Sequence, residues 1–272
     1  MKSKTLLIAA AALAAGIISS QAQSVYSQNV VGYVNLTITN NALYTVTALQ
    51  LQCGVSNGLN EVFSSFGPAQ SGDTVFLWDS TGQQFAGGGY NFYWDPSLNG
   101  GAGGPSWYDQ AGNGSLLTSY PKIKVGSSAF IQGSGIVNPS DTLTLVGQVS
   151  IASGTTNSLP FLGGGFYSLV GSQLPQAGGL VGLGLVPPDG TLAFIWNPVT
   201  QAFKGGGYAY YEQFGWYDQA GNGALVTGTG VTFTNSYGVW SDIPVKVGDG
   251  VFVQGGVGGS GTTNWVQSFN NN

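Results

Sequence analysis

The chain has 272 residues, no histidine and no arginine, and only 6% charged side chains, against about 25% in an ordinary globular domain. Its formal charge of −5 sets eleven acidic residues against six lysines, which excludes a phosphate-clamping surface, so nucleic acid and anionic membranes are not expected partners. The missing histidine excludes Ser-His-Asp and Cys-His catalysis and removes the usual transition-metal ligand, so neither metal nor cofactor is expected.

Lys2 and Lys4, the apolar run Leu6 to Ile18 and the small residues around Ala22 read as a secretory leader, cleaved after Ala22. Cleavage leaves four lysines against eleven acidic residues, a formal −7. No later stretch reaches the roughly 20 apolar residues of a membrane-spanning helix. The one cysteine, Cys53, cannot form an internal disulfide and reads as a small buried residue, so the fold must hold together by burial.

From there the chain repeats itself. VGYVNLTI from Val31 resembles VGQVSI from Val146, and LYTVTALQL from Leu43 resembles FYSLVGSQL from Phe166. Trp78 to Tyr90 matches Trp196 to Tyr208, including the triplets Gly87–Gly89 and Gly205–Gly207. The octet WYDQAGNG occurs identically at Trp107–Gly114 and Trp216–Gly223, and KVGSSAFIQG at Lys124 aligns with KVGDGVFVQG at Lys246. The order predicts an all-β protein of two tandem homologous antiparallel units, residues 23–145 and 146–272, each a β-sandwich or open barrel. Short runs rich in β-branched and aromatic residues, bounded by glycine and proline, predict strands at Thr74–Trp78, Ser128–Gln132, Leu192–Trp196 and Gly250–Gln254. Asn60 to Phe66 suits one helical turn. No flexible linker separates the units: a strand closing near Val146 runs into one opening there, which predicts units packed as one body.

VYSQNVVGYVN (Val25–Asn35), FGWYD (Phe214–Asp218), VGDGVFVQ (Val247–Gln254) and WVQSF (Trp265–Phe269) carry a resemblance to exported two-repeat proteins of Verrucomicrobia-type bacteria. The likeness covers nearly the whole mature chain and implies a two-repeat exported protein, with no activity attached. Similar GxxFxVQ strands in surface modules of gliding-type bacteria imply a cell-envelope setting.

The octets are the candidate binding residues: Trp107, Tyr108, Asp109 and Asn113, with Trp216, Tyr217, Asp218 and Asn222. An apolar ring beside directional hydrogen-bonding groups suits a sugar, which has one apolar face and a rim of hydroxyls. The competing reading makes the octets turns, with the aspartates capping backbone N–H groups and the tryptophans in the core. The glycine triplets lack a following Lys-Ser/Thr, so they read as tight bends or bulges and not as phosphate cradles. Calcium would suit the Asp and Asn oxygens, but no spaced Asp-x-Asp-x-Asp loop supports it. The expected function is a non-enzymatic cell-surface or extracellular structural or interaction protein whose partners are glycans or envelope components. A carboxylate-only hydrolase, which needs two carboxyl groups facing each other at about 5–10 Å, and a small outer-membrane β-barrel are the alternatives.

Overall fold

The computed structural model describes residues 31–112, 114–135, 140–151, 155–220, 223–256 and 261–269. The leader, Asn113 and Asn222 lie outside the described residues. The first unit contains β1 (Val31–Thr39), β2 (Tyr44–Ala48), the one-turn helix α1 (Leu59–Val62), β3 (Thr74–Asp79), β4 (Gln84–Phe85), β5 (Tyr90–Asp95), β6 (Gly104–Asp109), β7 (Ser115–Leu116), β8 (Ser128–Gln132) and β9 (Ser140–Gln148). The second contains β10 (Thr155–Leu162), β11 (Tyr167–Gly171), β12 (Gly178–Gly179), β13 (Leu192–Asn197), β14 (Ala202–Phe203), β15 (Tyr208–Tyr211), β16 (Gly215–Asp218), β17 (Ala224–Leu225), β18 (Thr232–Asn235), β19 (Gly238–Ser241), β20 (Pro244–Val245), β21 (Gly250–Gln254) and β22 (Thr262–Phe269). The four strands expected from the sequence are β3, β8, β13 and β21, and the expected helical turn is α1.

Each unit carries an antiparallel sheet of seven strands. In the first the order is β2-β8-β3-β5-β6-β7 with β4 on β3; in the second it is β11-β21-β13-β15-β16-β17 with β14 on β13. The orders are open and correspond strand for strand. A two-stranded ribbon accompanies each sheet, β1 with β9 in the first unit and β10 with β22 in the second. In the first unit this ribbon and α1 supply Leu36, Ile38, Leu143, Leu145, Leu59 and Val62 to a core against Val75, Phe92, Trp107 and Ile131 of the sheet. Leu36 and Ile38 stand eight and six residues before Tyr44. Leu159 and Phe161 of β10 stand equally far before Tyr167 and are likewise buried.

The pairing corrects the expected junction. All nine residues of β1 pair with Ser140–Gln148, so the first unit's ladder crosses the boundary placed at residues 145 and 146. Val146 to Ile151 does not open the second unit; Thr155 does. The resemblance of VGYV to VGQV is that of ladder partners, since Gly32 pairs directly with Gly147. Gly147 is needed for contact with the loop after β2: a Cβ there would lie 2.4 Å from the Gln52 carbonyl oxygen.

Strands β3 and β13 are apolar on both faces because both faces are covered. Val75 and Leu77 point into their own unit's core, while Phe76 and Trp78 lie on the opposite face, where Trp78 meets Phe252 of the other unit and Phe76 packs on Tyr44 and Phe85. Across the seam Trp78 packs edge-on to Phe252 at 5.2 Å, and Trp196 to Phe130 at 5.5 Å, with Phe130 and Phe252 5.8 Å apart. Polar contacts repeat with the same pseudo-twofold relation. Trp78 Nε1 donates to the Tyr167 carbonyl at 2.9 Å, and Gln83 brackets that residue's N–H and C=O. Trp196 Nε1 and Gln201 do the same to Tyr44. Main-chain bonds from Ala48 N to Gly248 O and from Gly171 N to Gly126 O, both 2.7 Å, join the units directly. The two units are therefore packed together, as expected, through their sheets.

Candidate functional site

The octet tryptophans lie within strands β6 and β16, where alternation sends neighbouring residues to opposite faces. Trp107 and Trp216 point inward and are 0% exposed. Trp107 packs on Phe63, Phe66 and Phe92 at 5.1–6.0 Å. Trp216 packs on Tyr210 at 5.1 Å and donates its indole N–H to Asp242 Oδ1 at 3.1 Å. Neither ring can offer a face to a ligand, which removes the basis for the octets as sugar platforms. The copies also differ: Trp107 Nε1 is buried without a hydrogen-bond partner.

The polar octet residues serve their own turns. Asp109 Oδ1 accepts from Ala111 N, and Asp218 Oδ1 from Ala220 N, each at 2.9 Å. Gly114 N and Gly223 N close the turns onto the Asp109 and Asp218 carbonyls, with φ of 75° and 72°. The octets also dock on the glycine triplets: Gln110 N donates to Gly89 O, and Gln219 N to Gly207 O. A Cβ at Gly89 would lie 2.7 Å from the Phe76 ring, and one at Gly207 2.6 Å from that of Phe194, so these glycines let the seam aromatics sit against backbone. Burial, and secondarily the nearby Asp109 and Asp218, raises the Tyr90 and Tyr208 hydroxyls above their ordinary pKa. Tyr108 and Tyr217, on the sheet face opposite the octet tryptophans, are half-buried and meet Tyr93 and Tyr211 edge-on at 5.4 and 5.6 Å.

The carboxylates hold loops together. Glu212 apart, every acidic side chain accepts a hydrogen bond from within the protein. Asp79 and Asn197 stand at equivalent positions and cap the same kind of turn, accepting from Thr81 N and Val199 N; their mismatch is an exchange of equivalent caps. Asp73 and Asp242 are fully buried, and desolvation pushes both carboxyls above the usual carboxylate range. Cys53 is half-buried, and burial pushes its thiol up to about 11. Among the described residues no group of three or more Cys, Asp or Glu side chains is arranged to hold a metal ion.

Open space lies instead along the seam between the units. A cleft of about 490 Å³ has Trp78, Lys122, Lys124 and Ser128 of the first unit on one wall and Pro160 and Ser168 of the second on the other. Past Lys122–Lys124 and Leu159–Pro160 it adjoins a second hollow of about 450 Å³, bordered by Gln52, Asn157 and Gln173. Sequence reading did not single out these residues. Lys122 and Lys124, two of the four lysines beyond the leader, were the available signal, but the wall facing them is supplied by a strand about 35 residues away. The cleft combines two ammonium groups with hydroxyls, amides and limited apolar surface; such a surface can bind a polar, extended ligand. No family model matches the sequence, and no curated protein or solved structure matches it.

Proposed function

We propose that the protein is a non-enzymatic, exported structural or interaction protein of the cell surface or extracellular matrix, with extracellular glycans as its partner class. The observation that carries this reading is the internal use of its reactive groups: the carboxylates cap turns, the lone thiol is half-buried with a raised pKa, and the octet tryptophans are core. Acid–base chemistry needs carboxyl groups facing a shared cleft. The seam cleft has one carboxylate on its wall, Asp79, and that one caps its own turn. The open strand orders and the aromatic-filled seam favour a packed sandwich over a membrane barrel, whose single sheet closes on itself. Fractionation of the producing cells tests the reading: the protein is expected in the medium or in a detergent-free envelope wash. Bulk recovery in the cytoplasm, or release only by detergent, would overturn it.

A further inference from the structure

Resting on the glycan reading, we infer that the seam cleft binds a segment of an acidic polysaccharide, a chain of carboxylate-bearing sugars, with Lys122 and Lys124 as its recognition groups. Two independent observations converge there. First, charge is placed against the trend of the molecule. The mature chain is strongly acidic, yet half of its lysines sit on one wall of one cleft, on the short stretch before β8. Both are exposed, and neither ammonium has an ion-pair partner among the described residues. Two unpaired cations two residues apart on an extended segment lie on the same side of the chain. They suit two carboxylates of one extended ligand.

Second, the remaining lining is of the kind sugars use. Hydroxyls of Ser80, Ser127 and Thr262 stand beside the apolar surfaces of Trp78 and Pro160. Lys122 and Lys124 stand at the border that the two hollows, of about 490 and 450 Å³, share. The walls belong to different units locked by the Trp78–Tyr167 and Trp196–Tyr44 contacts, so the cleft is preformed.

The test is calorimetric titration of the leaderless protein, residues 23–272, with a galacturonate hexamer, maltohexaose and hexaglutamate. The expected result is binding of the galacturonate hexamer alone, weakened about tenfold by Lys122→Gln/Lys124→Gln and further by salt. A Lys204→Gln/Lys246→Gln control, equal in charge change but away from the cleft, should bind as the wild type does. Absence of galacturonate binding, equal binding of maltohexaose or hexaglutamate, or an equal loss in the control variant would each overturn the inference. None of these outcomes bears on where the protein resides, so the proposed function stands or falls separately on fractionation.

Discussion

Gly171 lies where the units come closest, and its substitution measures how much the seam contributes to stability. A Cβ at this position would sit 2.3 Å from the Ala48 Cβ, 3.0 Å from Ser128 Oγ and 3.2 Å from the Asp249 carbonyl oxygen. Carbon atoms pack at about 3.5–4.0 Å, so the overlap with Ala48 exceeds 1 Å. Neither side can move aside alone. Gly171 N is bonded to Gly126 O and Ala48 N to Gly248 O across the same seam. Relief therefore requires the sheets to part, which loosens the aromatic contacts among Trp78, Phe130, Trp196 and Phe252. Overpacking of this kind costs about 1–3 kcal/mol, and the Gly→Ala gain from a stiffer unfolded chain returns about 0.4–1. Gly171→Ala is expected to lose about 1–2 kcal/mol, or roughly 3–6 °C in Tm for a chain of this size. Ala48 and Gly171 are equivalent in the repeat, so Ala48→Gly with Gly171→Ala only moves one methyl across the pseudo-axis. The double variant should return to within about 0.5 kcal/mol of wild type. Denaturant and thermal unfolding of residues 23–272 provide the assay. An unchanged Tm for Gly171→Ala, or a double variant no better than the single one, would refute the packing argument. If it holds, alanine cannot stand at both members of this pair without loss, and at least one of them must be glycine.

The two identical octets should respond differently to the same change. Trp216→Phe removes the indole N–H donor from buried Asp242, whereas Trp107→Phe removes an N–H that has no partner, so Trp216→Phe should cost about 1–2 kcal/mol more in denaturant unfolding; equal losses would contradict the difference. Burial raises the Asp242 carboxyl above its unfolded value of 3.8, so the folded state takes up this proton first, and the group's contribution grows as pH falls through the raised pKa toward 3.8. The stability margin of wild type over Asp242→Asn should therefore widen between pH 7 and pH 4, and a margin that narrows would show the sign to be wrong. Residues 23–150 and 151–272, expressed separately, should each expose the seam aromatics and fail to melt cooperatively at the full-length temperature; two soluble halves melting as the whole does would show independent units.

Much of the architecture was legible in the residues because its signals are local. Runs rich in β-branched and aromatic residues such as TVFLW and GVFVQ, glycine punctuation and the repeated octets required nothing beyond neighbouring positions to predict β3, β21 and two tandem sheets. The turn role of Asp109 and Asp218 was likewise one of two readings the octets allowed. The choice between them belonged to the tertiary structure. Trp107 and Tyr108 are adjacent and must face opposite ways, but which of them meets the core depends on where the β1–β9 ribbon and α1 lie. The junction was misplaced for the same reason: β1 finds its partner more than a hundred residues away, and ladder partners with similar exposure came to look like repeated openings. The cleft is the furthest from sequence of all. Lys122 and Lys124 carry no motif, and they acquire a facing wall only when β10 of the second unit is locked against the first through Tyr44, Trp78, Tyr167 and Trp196. Local periodicity sets which strands form; the packing of two sheets, a long-range property, sets which faces remain open to a ligand.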